Sequence, residues 1–266
     1  MILLVFEGAN LEPHVMSTLK ELYFPGEENT IQCSFGTDTY TLWKEVMAHS
    51  QNGYEVDTFN IIKQYLIAKG DNSLVNYSSY QFEAIYLFFD YDPQNSTISS
   101  DTLNNAVRQM CTVFSDAMEQ GKIFVSYPMF EALFCENSLP DTNYLHYVVP
   151  LQNCKGFKGW CHDNFYYASH PLELLFRTNK NNVITEVITE QRRNELLERW
   201  KTLIIQNAQK ANYICNGVDV VPKEELGISQ GAIFEHEQND YVNSSSVVSI
   251  LSSFPLFLFD YFNKIS

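Results

Sequence analysis

Three features of the sequence predict an α/β fold: a mainly parallel sheet with a mainly helical subdomain appended at the C-terminal end. Short apolar runs without polar alternation occur at residues 2–6, 84–89 and 122–127. Such runs suit strands buried on both faces, as in a parallel sheet. Segments with helical spacing separate them, and strands alternating with helices argue for βαβ units. Beyond about Pro150 the pattern changes to one long amphipathic segment and an apolar tail. The expected organisation is therefore residues 1–150 as the sheet domain and residues 151–266 as the helical subdomain.

The first strand, Met1-Ile-Leu-Leu-Val-Phe6, runs into the turn Glu7-Gly8-Ala9-Asn10. Pro13 suits the first turn of a helix, where its missing N–H costs nothing. Val15, Met16, Leu19, Leu22 and Tyr23 then follow at helical spacing. Residues 30–35 read as a second strand, and residues 42–49 and 59–68 as helices. The strongest strand, residues 84–89, ends abruptly in Asp90-Tyr91-Asp92-Pro93. A polar loop leads to a helix over 103–118, with Gly121 as its C-cap. Another strand follows at 122–127, and Pro128 opens a short helical segment over 129–134. Right-handed crossovers would bring the C-terminal ends of all these strands to one side.

In the second half, residues 188–208 form an amphipathic helix with Leu196, Leu197, Trp200, Leu203 and Ile204 on one face. Arg192, Arg193 and Arg199 lie largely off that face. The bland reading is a solvated surface; the functional one is nucleic-acid contact. A Ser/Asn-rich loop at 243–246 precedes the apolar tail around Pro255.

Composition narrows the function classes. Hydrophobic residues make up 45% of the 266, enough for a sizeable core. There are 17 Lys and Arg against 32 Asp and Glu, a net charge of −15 that repels a phosphate backbone at long range. That counts against a duplex binder acting alone, but not against a nuclease that uses metal ions. The apolar opening has no basic residues before it and runs into Glu7, so it does not read as a signal peptide. No apolar stretch approaches the ~20 residues of a membrane span. The six cysteines are scattered without CxxC spacing. A reduced, cytoplasmic protein without a membrane partner is expected.

The chemistry-bearing residues gather at the ends of strands. Glu7 follows the first strand directly, at the edge where sites of open α/β sheets assemble. Glu12 stands five residues on, placed to cap the helix or to reach the same site. Asp90 and Asp92 end the most apolar strand, and in extended geometry residues two apart share a face. Carboxylates so close repel unless a positive charge lies between them, and a hard divalent cation, Mg²⁺ or Mn²⁺, takes oxygen ligands. Glu131, just past the strand over 122–127, adds a further acid at that edge. The ordinary alternatives are a loop carboxylate for Glu7 and an Asp-Pro turn for Asp92.

Other candidates carry less. Cys154, Cys161 and His162 are close in sequence, but zinc would need a further ligand at readable spacing. His146 and His170 are isolated. Lys155 and Lys158, with Trp160, read either as a surface turn or as a nucleic-acid contact. The sequence has no GxxxxGK[ST] loop, so the chain is not itself a P-loop ATPase.

A strand ending in Glu-Gly, then a helix, then an apolar strand ending in Asp-x-Asp resembles the Toprim domain of topoisomerases, primases, recombination mediators and OLD-type nucleases. The matching segments are VFEGANLE (residues 5–12) and LFFDYDP (residues 87–93). The first is similar to the EGxxTE turn of Toprim nucleases tied to phage defence, with Leu11 in place of the usual threonine. SYPMFEAL (126–133) and LSSFPLFLFDYF (251–262) are similar to the small Toprim proteins of abortive-infection systems, which often pair with an ABC-type or OLD-like ATPase.

The resemblance implies a Toprim, Rossmann-like domain that hydrolyses phosphodiester bonds of DNA or RNA with Mg²⁺ or Mn²⁺. Glu7 would be a metal ligand or general base, Asp90 and Asp92 metal ligands, and Glu131 and Glu12 further ligands. An ATPase partner and a homo-oligomer are the implied assemblies. Two other readings stand beside it. One is another DxD enzyme, a phosphatase or nucleotide-sugar transferase; a phosphatase would make Asp90 the nucleophile and Asp92 the acid/base. The other is a non-catalytic Toprim-like scaffold or sensor.

Overall fold

The computed structural model describes residues 1–25, 30–49, 56–94, 98–222 and 228–263. In the first half, β1 (Ile2–Phe6), α1 (Leu11–Tyr23), β2 (Thr30–Ser34), α2 (Thr39–His49), α3 (Thr58–Ala68), β3 (Ala84–Asp90), α4 (Ser100–Val113), β4 (Ser115–Asp116) and β5 (Gly121–Ser126) follow in order. They form a five-stranded sheet in the order β2-β1-β3-β5-β4. Its first four strands are parallel, and only the edge strand β4 runs antiparallel. The fold class is therefore α/β with a mostly parallel sheet.

The absence of alternation in β3 has a direct cause: both faces of the strand are covered. Phe88 stacks on Phe254 with ring centroids 4.8 Å apart, and Tyr86 meets Phe257 at 4.9 Å. On the other face, Phe89 packs edge-on against Phe35, which stacks on Tyr65 of α3. Leu87, between them, is fully buried.

The second half contributes β6 (Val148–Pro150), α5 (Phe157–Asn164), α6 (Tyr166–Ser169), α7 (Glu190–Asn216), α8 (Gln230–His236), α9 (Asn243–Ser245), β7 (Val247–Ser249) and α10 (Ser253–Asn263). β6 and β7 form a small antiparallel ladder, and a Tyr127–Leu251 bridge ties it to the end of β5. The apolar tail is strand β7 followed by α10, with Pro255 in the first turn of the helix. Phe254 and Phe257 of α10 lie on the main sheet, and α10 also packs along α7. One hydrophobic cluster runs from Leu3 to Leu258 through both halves of the sequence.

Two helices depart most from the sequence reading. α4 ends at Val113, where the Phe114 N–H bonds back to the Met110 carbonyl at 2.8 Å. Phe114 and Ala117 are buried, as a longer helix would also require, but they are buried from the turn and edge strand that follow. Gly121 is no cap: it opens β5 at φ +105, against the Ile85 side chain. The helix predicted over 188–208 begins at Glu190 behind a Thr189 cap and continues to Asn216, closed by Gly217 at φ 67. Its last turns bury polar residues, Asn207, Lys210 and Asn212 among them, so their apolar face is invisible to periodicity. Among the described residues no helix is long and apolar enough to cross a membrane.

Candidate active site

β1, β3 and β5 end at one edge of the sheet, and their register sets the spacing of the acids there. Phe6 pairs with Phe88, and Asp90 pairs with Ser126. Glu7 continues the ladder one residue past β1: its N–H bonds to Phe88 O at 3.0 Å, and its carbonyl accepts from Gly36 at 3.0 Å. The Glu7 side chain then turns toward β3, where its Oε2 accepts the Asp90 N–H at 3.0 Å.

Glu12, in the first turn of α1, reaches back so that Oε1 accepts the Gly8 N–H at 2.8 Å. A Cβ on residue 8 would overlap that carboxylate, so the glycine makes room for Glu12 beside the turn. The backbone N–H of Phe130, at the start of the turn that carries Glu131, acts to lower the pKa of Asp90. Glu131 also lies 4.0 Å from the exposed Lys158 ammonium.

The electrostatics tie these groups together. Glu7 is raised to about 8, first by burial and then by the charges of Asp38, Glu12 and Asp92, against the lowering bond from the Asp90 N–H. Asp90 stands well above the usual carboxylate range through burial and the charges of Glu7, Glu12 and Glu131. Glu12 is raised by burial and by Glu131. Asp92 is raised by burial and by Asp38. Glu7 thus links two groups of acids, one around Asp90 and one around Asp92.

The extended geometry behind the expectation that Asp90 and Asp92 share a face breaks at Asp92. Asp92 has φ 38, and its N–H bonds to Pro128 O at 3.0 Å. The chain has left extended geometry between the two residues, so the two-residue rule for strands no longer applies. The charge that raises Asp92 is that of Asp38, a residue the sequence reading did not single out. Asp38 sits at the start of α2, with Oδ1 accepting the Thr41 N–H at 2.8 Å. Its signal was an ordinary helix start, TDTYT after Gly36. Among the described residues no group of three or more His, Cys, Asp or Glu side chains is arranged to hold a metal ion.

Of the basic candidates, only Lys158 is placed beside these acids, at Glu131, and the three arginines are already paired. Arg192 contacts Glu186 and donates to the carbonyls of Leu172 and Leu175. Arg193 pairs with Glu21, and Arg199 with Glu173 at 2.8 Å. Lys155 is exposed in the turn before α5, apart from the acids. Cys154 and Cys161 are buried; Cys161 Sγ lies 2.7 Å from Cys135 Sγ, while His162 is exposed beside Asp163.

A second set of ionisable groups is buried between α7 and the small ladder. The Lys210 ammonium is fully buried and donates to the carbonyls of Tyr144 at 2.9 Å and Tyr147 at 2.7 Å. Burial lowers it to about 7, against the opposing charges of Glu237, Cys135 and Glu136. Glu237 is pushed up to about 8 by burial, while its Oε2 accepts the Ser249 N–H.

In comparisons with known proteins, no family model, no curated protein and no solved structure matches the chain.

Proposed function

We propose that the chain is a divalent-cation-dependent nuclease whose site is the acidic edge formed by Glu7, Glu12, Asp90 and Glu131, with Asp38 and Asp92 beside it. One observation carries this reading: carboxylates from separate strands and turns converge at the C-terminal edge of a parallel sheet and raise one another, with little positive charge among them. Such a set is costly as it stands and is relieved by a hard cation. The donors are all oxygen, which suits Mg²⁺ or Mn²⁺, and Mg²⁺ needs only one or two carboxylates because it keeps several waters. When bound, the cation would supply charge neutralisation at a phosphate and an ionisable water. The chain's own part is to hold Glu7 and Asp90 together through the Asp90 N–H and to place Glu12 and Glu131 alongside.

The likeness of the same strand ends to Toprim nucleases extends the reading to phosphodiester bonds of DNA or RNA. It extends it also to an effector role in anti-phage defence, with an ABC-type or OLD-like ATPase and self-assembly supplying the basic surface that a −15 chain lacks. The test is cleavage of single- and double-stranded DNA and RNA by the purified chain and by Asp90→Ala, with Mn²⁺ or Mg²⁺ and with chelator. Metal-dependent cleavage that Asp90→Ala abolishes at unchanged soluble yield supports the reading. Cleavage that survives in Asp90→Ala sinks it.

A second reading is a scaffold that has lost the chemistry, favoured by the absence of a closed metal-ligand group among the described residues. Titration calorimetry with Mn²⁺ separates the two, since a scaffold takes up no metal at this edge.

A further inference from the structure

One side chain at this edge is neither acidic nor part of the resembling motifs, yet it touches both of the central elements. Thr39, the first residue of α2, is 2% exposed. Its hydroxyl lies 2.8 Å from Asp90 O and 3.4 Å from Glu7 Oε2. It reaches these partners across 51 and 32 residues of sequence, so the loop after β2 is fastened to the ends of both β3 and β1.

The hydroxyl is spare for this task because Asp38 already serves the start of the helix, accepting from both the Thr41 N–H and the Thr41 hydroxyl. A β-branched side chain at a helix start also has few rotamers to choose from, so the oxygen is presented in a set direction.

We propose that Thr39 is a positioning residue for the acidic site: its hydroxyl ties the start of α2 to Asp90 O and stands beside Glu7 Oε2, so that the Glu7–Asp90 pair meets a divalent cation in one arrangement. The Asp90 N–H donates to Glu7 Oε2 at 3.0 Å, and the Thr39 hydroxyl, whose single proton has its shorter contact with Asp90 O at 2.8 Å, stands 3.4 Å from the same carboxylate oxygen. A carboxylate held through one oxygen offers the other as a ligand in a defined direction. Outer partners of this kind orient the ligands that touch a metal, and their loss costs about 10- to 100-fold in metal affinity. This inference rests on the metal-dependent reading above.

The experiment compares Mn²⁺ affinity by titration calorimetry for the wild-type chain and for Thr39→Ser, Thr39→Val, Thr39→Ala and Glu7→Gln, with urea unfolding of each as the fold control. Thr39→Val keeps the volume and removes the hydroxyl; Thr39→Ala removes the hydroxyl without adding an apolar group against Asp90 O. Expected are affinity losses of about 10-fold or more for Val and Ala, a larger loss for Glu7→Gln, and near-wild-type affinity for Ser. Wild-type affinity in a folded Val or Ala variant overturns the role of Thr39 and leaves the metal reading intact. An equal loss in Ser and Ala overturns it too, because the methyl group rather than the hydroxyl would then matter. A wild-type chain that binds no Mn²⁺ overturns both.

Discussion

Carboxylates are buried in two regions of this molecule, and the regions differ in what stands beside them. At the sheet edge Glu7, Glu12 and Asp90 have other acids as their charged neighbours: Asp38, Asp92 and Glu131. Between α7 and the small ladder, Glu136 and Glu237 share their interior with Lys210, whose ammonium is itself held by two carbonyls. The second region carries its own cation and is closed. The first has, among the described residues, only the exposed Lys158 ammonium 4.0 Å from Glu131 at its rim, and lies at the partly exposed ends of strands. A raised pKa alone does not separate the two, because Glu7 and Glu237 both reach about 8. The sign of the neighbours does: a self-neutralised cluster is a folding element, and a set of like charges is a place for something positive to bind.

The largest expected effect lies in the closed region. Lys210→Met leaves Glu136 and Glu237 without their lysine and takes the donor from two buried carbonyls. A loss of about 3 kcal/mol in urea unfolding at neutral pH is expected. Asp90→Asn does the reverse at the sheet edge by removing one of several like charges, and stability should rise by up to about 1 kcal/mol. If Asp90→Asn is instead as destabilising as Lys210→Met, the two regions are of one kind and the contrast fails.

Next in size is the response to pH. Glu7 binds its proton more tightly in the folded chain, at about 8 against 4.5, so its contribution is complete at low pH. It is lost as pH rises through that window, because there the folded state holds more protons than the unfolded one. Glu237 acts with the same sign over the same window. Lys210 acts oppositely: lowered from 10.5 to about 7, it gives stability that grows as pH rises between those values. Unfolding midpoints from pH 5 to 10 should therefore fall less steeply in Glu7→Gln below pH 8. The rising contribution above pH 7 should vanish in Lys210→Met. A Glu7→Gln curve parallel to wild type would show that Glu7 is not held protonated by its surroundings.

How much of this was legible follows from the same contrast. The strands ending in Glu7, Asp90 and Tyr127 were readable because double-sided burial removes alternation, and because a parallel sheet sends those ends to one edge. The break in extended geometry at Asp92 was unreadable because a positive φ leaves no mark in the motif DYDP. Asp38 and Thr39 were missed because TDTYT reads as an ordinary helix start. The cluster around Lys210 was unreadable for a related reason: a polar residue on a core face looks solvent-facing until its buried partners, here more than 60 residues away, are known. The same ambiguity stopped the long helix at Ala208.

A smaller effect sharpens the reading of the Glu-Gly turn. Gly8→Ala places a methyl group where the Glu12 carboxylate sits, and the flexible side chain gives way. The fold should hold to within about 1 kcal/mol, since the helix keeps its other contacts. Mn²⁺ affinity should fall, though by less than in Glu7→Gln, as a neighbouring ligand is turned aside. Unchanged Mn²⁺ affinity would place Glu12 in helix capping alone.

The smallest expected effect concerns the arginines of α7. Arg199 and Glu173 are each about one-third exposed, and their contact at 2.8 Å is a surface pair. Such pairs contribute roughly 0–1 kcal/mol, so Arg199→Ala should barely move the unfolding midpoint. Its effect on nucleic-acid binding should be smaller still. A guanidinium already matched by a carboxylate offers little net charge to a phosphate, and the same holds for Arg192 beside Glu186 and Arg193 beside Glu21. The salt dependence of binding is the sensitive measure, because each phosphate contact adds about 0.7–0.9 to the log–log slope. Fluorescence anisotropy with a labelled oligonucleotide and Mn²⁺ should give the same slope for wild type and for the Arg192, Arg193 and Arg199 alanine variants. A slope lowered by that amount would mean that the glutamates release these arginines to the substrate, and that α7 is part of the binding surface after all.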